Sequence, residues 1–305
     1  MTGSAPISHS KLRTAVASIR GEVKFEEPLS EWTSFRIGGP AEAFVIPEDI
    51  HDLAQLMINL ESCKIPWWVL GGTNLLIQDR GVRGVVFSLS KICRIQDEEE
   101  DRIFAEAGVR MPLLLQHAIK RSLSGLEWAA GIPGTVGGGV VMNAGTHLGE
   151  MKDALHAVQM LNPMGQIVTL CKEVLSFRYR HTELPKGIVV GAWFQLKKAP
   201  HKEIESATKD YLQHRKNTQP LTRPNVDSIF QNPPRQSAGK LIEEAGLKGT
   251  RIGDAQISQK HANFIVNIGA ARATDVILLI KKIQQTVFKR NGIQLELELK
   301  ILGDS

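Results

Sequence analysis

The sequence predicts a mixed α/β protein that binds a cofactor or nucleotide through glycine-rich turns. Three observations carry that prediction. The first is the stretch GIPGTVGGGVVMNAG at 131–145, where five glycines and a proline fall within nine residues. Glycine lets backbone N–H groups approach a ligand because no Cβ intervenes. Consecutive amides turned one way form a concave nest for an anion such as a diphosphate. The apolar Val136, Val140, Val141 and Met142 predict that this loop is clamped against a core. A tight turn between buried strands is the alternative from composition alone. The second observation is a strand–helix–strand order that ends in Gly71, Gly72, Thr73 and Asn74, a turn at the end of a strand where α/β sheets bind ligands. The third is the absence of competing signatures. The glycine run is not a G-x-G-x-x-G fingerprint between a strand and a helix, and no Lys-Ser or Lys-Thr pair follows it, which excludes a P-loop.

The 305 residues suffice for two or three domains. Hydrophobic content of 42% and charged content of 23% allow a core without staples. Cys63, Cys93 and Cys171 are widely spaced and stand at no metal spacing with His. That argues against disulfides and zinc, and for a reducing compartment. No signal-peptide core and no membrane-length apolar run is present, so a soluble, cytoplasmic protein is expected. The net charge of +5 is modest and unclustered. It suits an anionic small-molecule substrate, and the two tyrosines and lack of aromatic–basic interleaving give no nucleic-acid surface. No membrane or obligate protein partner is expected.

Residues 1–30 read as a polar, partly helical lead-in. Arg36 precedes Gly38, Gly39 and Pro40 at the start of a strand over 43–46; a phosphate contact and a surface cation before a turn are both open for it. Asp49 caps a helix with Leu53, Leu56, Met57 and Leu60 on one face. Residues 67–70 form a short buried strand, and 84–107 alternate as strands around a charged hairpin tip at 97–101. Pro112 opens a helix, and 162–165 turn a hairpin. A strand over 188–196 closes this part, and the polar, Pro-interrupted 197–203 mark a domain boundary. A helix over 204–216 follows, then a Pro-rich loop at 219–227. Ser237 caps a helix that stops at Gly246, and 260–267 read as a strand. Thr274 begins a helix with Val276, Leu279, Ile280, Ile283 and Val287 at helical spacing and Gly292 at its end. Residues 293–301 alternate as a strand, with Ile293, Leu295, Leu297, Leu299 and Ile301 opposite Glu296, Glu298 and Lys300.

No Ser-His-Asp order, HExxH run or CxxC pair supports hydrolytic or metal chemistry. Many glycine turns with few catalytic side chains suggest a cofactor that supplies the chemistry. The candidates are Arg180, Ser228 and Glu298. Arg180 suits a bidentate hold on a carboxylate or is an exposed strand-end cation. Ser228 lies in a Pro-bracketed loop, where serine is also a turn former. Glu298 sits on the polar face of the last strand, where an acidic edge is the plain account.

At these residues the chain resembles the UDP-N-acetylenolpyruvoylglucosamine reductase family. The likeness rests on TSFRIGGPA at 33–41, LGGTNLL at 70–76, the glycine stretch, YRHT at 179–182, SIFQNP at 228–233, SAGKLI at 237–242, KHANF at 260–264 and ELKILG at 298–303. It implies an α+β chain with an FAD-binding fold of the vanillyl-alcohol-oxidase (PCMH) type made of two subdomains. These are residues 1–80, joined by the C-terminal strand 293–305, and residues 81–200; a substrate-binding α+β domain spans 201–292. It implies an oxidoreductase of peptidoglycan precursor synthesis in the bacterial cytoplasm. NADPH gives a hydride to non-covalent FAD; the hydride then goes to C3 of UDP-N-acetylglucosamine enolpyruvate and a proton from Ser228 to C2, yielding UDP-N-acetylmuramate. Arg180 and Glu298 polarise the substrate carboxylate. Cofactor contacts are implied for Arg36; for Gly71, Gly72, Thr73, Asn74 and Leu75; for Gly131, Ile132, Pro133, Gly134 and Thr135; and for Gly138, Gly139, Asn143, Ala144 and Gly145. Asn232, Lys240, His261 and Asn263 are the substrate-binding expectations. Another FAD-dependent oxidoreductase and a non-catalytic nucleotide-binding module of the same fold are the alternatives.

The chain departs from the family pattern at two positions. Asp227 precedes the serine where a small residue, often Gly, is usual, and Thr73 stands where Ser is commoner. No inserted segment with a substrate-lid tyrosine lies between Pro185 and Ile204, which resembles the shorter, second type of the family.

Overall fold

A computed structural model describes residues 9–71 and 73–303. The chain divides into two compact units. The first holds the residues up to 25 with 43–72 and 84–213; the second holds 26–42, 73–83 and 214–305. The passage between them after 213 falls inside the helix His201–Thr218, beyond the polar stretch that marks a boundary in the sequence.

In the first unit, helix Ile50–Ser62 begins where Asp49 accepts the Asp52 amide, and Leu53, Leu56, Met57 and Leu60 are buried along one face. Each such side chain contributes about 1.5–3 kcal/mol on burial. Strand Trp67–Leu70 pairs in parallel with Val82–Ser88, and the chain between them includes strand Leu75–Ile77, which belongs to the second unit. A five-stranded antiparallel sheet runs in the order Ile167–Cys171, Leu155–Leu161, Ile188–Gln195, Arg102–Glu106, Ile95–Asp97. Residues 98–101 link its last two strands as the expected hairpin tip. Helix Met111–Lys120 buries Leu114, Leu115 and Ala118 in the same core. The polar, partly helical lead-in holds helix His9–Val16, whose Leu12, Ala15 and Val16 are buried in this core, and strand Glu22–Pro28, which runs from the first unit into the second.

In the second unit, helix Ala273–Asn291 buries Val276, Leu279, Ile280, Ile283 and Val287 and stops at Gly292, whose φ is +70°. It lies with a three-stranded antiparallel sheet, Arg251–Ile252, Ala255–Ile257 and Ile265–Asn267, and with Phe35, Leu76, Val226, Ile229 and Leu295 in one core. Two sequence expectations are corrected here. Residues 293–301 are not a continuous strand: only Lys300–Leu302 is extended in a sheet, paired in parallel with Leu75–Ile77. Leu295 and Leu299 are buried as the alternation requires, but Ile301 is exposed, and the backbone at 296–298 bonds a loop rather than a neighbouring strand. Residues 260–264 are turns, since the Ser258 hydroxyl accepts the Lys260 and His261 amides and the strand begins at Ile265.

Candidate active site

In the first unit the Gly71 turn and the glycine stretch are strapped together. The Gly71 carbonyl accepts from Thr135 N at 3.0 Å and from Thr135 Oγ1 at 2.9 Å. A Cβ on residue 71 would stand 2.9 Å from that Oγ1, so a side chain there would strain the strap. Thr135 Oγ1 also accepts from Gly138 N and caps a short helix, Val136–Val141, at the centre of the stretch. The glycines therefore form a helix rather than a loop, with Val136 and Val140 buried and Val141 exposed. The amides of that helix are used internally: Val136 N–H donates to Val109 O, Gly137 N–H to Ala107 O and Gly139 N–H to Thr135 O. They do not make the open anion nest that composition suggests. Gly137 and Gly139 serve close packing, since a Cβ would lie 2.9 Å from Ala107 Cβ or 2.5 Å from Met151 Cε.

Gly131 and Gly134, both at positive φ, turn the chain into this helix around Ile132 and the exposed Pro133. Asn143 is fully buried, and its side chain is spent within the protein. Its Nδ2 donates to Glu150 Oε2 and to Arg178 O, and its Oδ1 accepts from Lys152 N. Ala144 O accepts the Met151 amide and Gly145 pairs with Glu150, so the end of the stretch backs the helix. Arg180 is the second residue of the two-residue loop between Ser176–Arg178 and His181–Glu183. Its φ is +55° and its guanidinium lies over the Tyr179 ring, 4.7 Å from the centroid. A bulky residue held in the left-handed region costs of order 1–3 kcal/mol, and such strain gathers at functional sites.

The second unit brings together Asn74, Ser228 and Glu298. Asn74 Nδ2 donates to Glu298 O at 3.1 Å, and Asn74 O accepts the Lys300 amide. Leu75 then opens the strand that pairs with Lys300. Glu298 N–H donates to Ile229 O at 2.9 Å, directly after Ser228. The Ser228 loop is held by Asn263: Asn263 O accepts Ile229 N, Oδ1 accepts Phe230 N at 3.0 Å, and Nδ2 donates to Phe230 O at 2.8 Å. Asn263 is 3% exposed. Its amide is a clamp on the loop, and both of its polar atoms are already used. Asn232 Oδ1 accepts the Ala238 amide and Ser237 Oγ the Lys240 amide, so both residues cap helix Ala238–Glu244. The Lys240 ammonium is exposed, 3.8 Å from Glu244. His261 Nδ1 accepts the Asn263 amide, which leaves Nε2 to carry the proton of the neutral ring. Burial, with Lys248 nearby, pushes the His261 pKa below its ordinary value. Arg36 is exposed at φ +54°. Gly72 lies outside the described residues.

Comparison with known proteins decides what this arrangement belongs to. A family model described as UDP-N-acetylenolpyruvoylglucosamine reductase, C-terminal domain, matches residues 219–302, and one described as FAD binding domain matches residues 41–171. A UDP-N-acetylenolpyruvoylglucosamine reductase of Syntrophus aciditrophicus is 46% identical over 292 residues, 94% of each chain. One from Geotalea uraniireducens is 42% identical over 94% of this chain and 96% of its own. The crystal structure of the enzyme from Thermus caldophilus superposes with a TM-score of 0.80 at 40% identity, covering 93% of this chain and all of that one. The chain belongs to the UDP-N-acetylenolpyruvoylglucosamine reductase family. It is an oxidoreductase with the α+β, PCMH-type FAD-binding fold and the reductase C-terminal domain. Among the described residues no helix is long and apolar enough to cross a membrane, and no cluster of His, Cys, Asp or Glu is fit to hold a metal.

The reductase motifs fit FAD on one direct observation. Asn74 Oδ1 is buried and finds no hydrogen-bond donor among the described residues. Its orientation is fixed, because Nδ2 must face the Glu298 carbonyl. A buried acceptor without a donor is costly, and the hydroxyls and ring N–H of a flavin dinucleotide are donors of the required kind. Between Pro185 and Ile204 the chain is taken up by Ile188–Gln195, Lys197–Lys198 and the start of His201–Thr218. Sequence reasoning missed Arg215. It sits on a helix that is polar nearly all round, with Ile204 its buried apolar anchor, so no periodicity marks Arg215 as buried. Its side chain is nevertheless only 11% exposed and pairs with Asp227.

Proposed function

We propose that this reductase uses NADPH to convert UDP-N-acetylglucosamine enolpyruvate to UDP-N-acetylmuramate, with Ser228 as proton donor and Arg180 and Glu298 acting on the substrate carboxylate. The observation that carries the reading is the Glu298 N–H bond to Ile229 O, which fixes the glutamate segment against the serine loop while Asn74 holds the Glu298 carbonyl. The chemistry that non-covalent FAD supplies when bound is hydride transfer, from NADPH to C3 of the enol ether. Negative charge then develops at C2 and in the adjoining carboxylate. Arg180, pre-set by its left-handed backbone, offers a planar pair of donors to that carboxylate. Ser228 gives its hydroxyl proton to C2 and is reprotonated from solvent. Asn263 orients this loop from behind. Lys240 and His261 are the groups proposed for the substrate's anionic part, and Asn232 for holding the helix that carries Lys240.

The test follows each half-reaction by anaerobic rapid-mixing absorbance at the flavin band. Purified protein is expected to be yellow, to bleach with NADPH and to recover its colour with the enolpyruvyl substrate. Acid denaturation is expected to release the FAD. Ser228→Ala is expected to bleach normally and to recover at least ~10²-fold more slowly, the lower end of what a general acid contributes. Normal recovery in Ser228→Ala would remove the serine from the reaction, and failure to recover in the parent protein would exclude this substrate.

A further inference from the structure

Asp227 stands directly before Ser228 at φ +62°. Glycine adopts this conformation freely, and an aspartate there carries a conformational cost. Its side chain meets Arg215 and Thr73. Oδ1 lies 3.3 Å from Arg215 Nη2, and Thr73 Oγ1 donates to Oδ2 over a long 3.5 Å. Arg215 is directed by a second bond, from Nε to Gln219 Oε1 at 2.9 Å. Burial lowers the Arg215 pKa and Asp227 opposes that shift, so the carboxylate answers a buried cation. The pairing matters for the chemistry as well. An unneutralised carboxylate beside Ser228 would repel the charge that develops on the substrate.

We propose that Asp227 is a positioning residue for Ser228, and that its pair with Arg215 and its contact with Thr73 register the proton-donor loop on the cofactor turn. The inference rests on the assignment of Ser228 as proton donor. The loop is then pinned on both sides of the serine. Ahead of it, Asp227 is held through its carboxylate and through its amide, which donates to Asn225 Oδ1 at 2.9 Å. Asn225 is itself anchored, since its carbonyl accepts from Ser34 Oγ at 2.9 Å. Behind it, Ile229 and Phe230 are held by Asn263. Replacing Asp227 by Gly relieves the backbone and releases only the leading side.

The experiment compares Asp227→Gly, Ser228→Ala and the double variant with the parent protein, each loaded with FAD. Asp227→Gly is expected to bleach with NADPH at the parent rate and to recover with enolpyruvyl substrate about tenfold more slowly, as small misplacements of reacting groups do. Its recovery should show a larger solvent deuterium isotope effect, because proton delivery becomes limiting. The double variant should recover no more slowly than Ser228→Ala alone, since Asp227 acts through the serine. In FAD-free protein, amide hydrogen exchange over 225–230 should rise in Asp227→Gly. Parent-like recovery, a defect in the NADPH step, or additive losses in the double variant would each overturn the inference. Slow recovery in Ser228→Ala beside normal recovery in Asp227→Gly removes the positioning role alone; normal recovery in Ser228→Ala removes the serine assignment on which it stands.

Discussion

Asn263 shows how one side chain can matter to a site without facing it. Its carboxamide takes the Phe230 N–H and C=O together, as a strand neighbour would, in a place where no strand runs. Asn263→Ala is expected to leave both groups without partners inside the protein and to cost about 2–4 kcal/mol. Lys240→Ala, at a largely exposed side chain, is expected to stay within about 0.5 kcal/mol of the parent. Urea unfolding of the two variants side by side makes the comparison, and equal midpoints would mean that the clamp is not made. Residue identity at such positions was legible in the sequence, but residue task was not. Asn143, Asn232 and Asn263 all stand in motifs that suggest ligand contact, yet their side chains bond backbone within the protein. An amide side chain has the same donors and acceptors for a ligand and for a turn, so only the fold distinguishes them.

At the scale of elements, periodicity was the readable signal. Helices Ile50–Ser62 and Ala273–Asn291 begin and end close to where Asp49, Thr274 and Gly292 place them. The final segment was misread because its alternation arises from a buried loop face, and a period of two looks the same in a lone extended segment as in a sheet. One cap was invisible to local reading. Asp79, from a distant segment, accepts the Ala273 and Thr274 amides and the Thr274 hydroxyl at the start of helix Ala273–Asn291. Partial burial pushes the Asp79 carboxyl upward, but bonds from Thr274 and Ala273, with Arg272 nearby, outweigh it and hold the pKa below its ordinary value. A folded-state pKa lowered in this way gives stability that is present above the unfolded value of about 4 and is lost as pH falls through the folded value. Asp79→Asn should therefore be less stable than the parent at pH 7, and the gap should close below about pH 4. A gap that stays constant down to pH 3 would show that the cap does not depend on charge.

For the whole molecule, the second unit is assembled from three separate stretches, 26–42, 73–83 and 214–305. Phe35, Ile37 and Leu76 come from the first two and are buried with Val226, Ile229 and Leu295 from the third. The family model for the C-terminal domain spans only 219–302. A fragment of 214–305 alone should thus lack part of its core and the strand partner of Lys300–Leu302. It is expected to show little near-ultraviolet dichroism and few dispersed amide resonances, and a well-dispersed spectrum would show that the early stretches are dispensable. The parallel pairing of Leu75–Ile77 with Lys300–Leu302 also imposes an order in time. At ~5–20 residues per second of synthesis, Leu76 waits roughly 7–30 s for Val226, and the partner of its strand arrives later still. Until then the turn at Thr73 and Asn74 has no Glu298 carbonyl to hold it and apolar side chains have no core to enter. A newly made chain is therefore open to aggregation throughout this interval, and the turn at Thr73 and Asn74 is completed only once residues 298–302 have emerged.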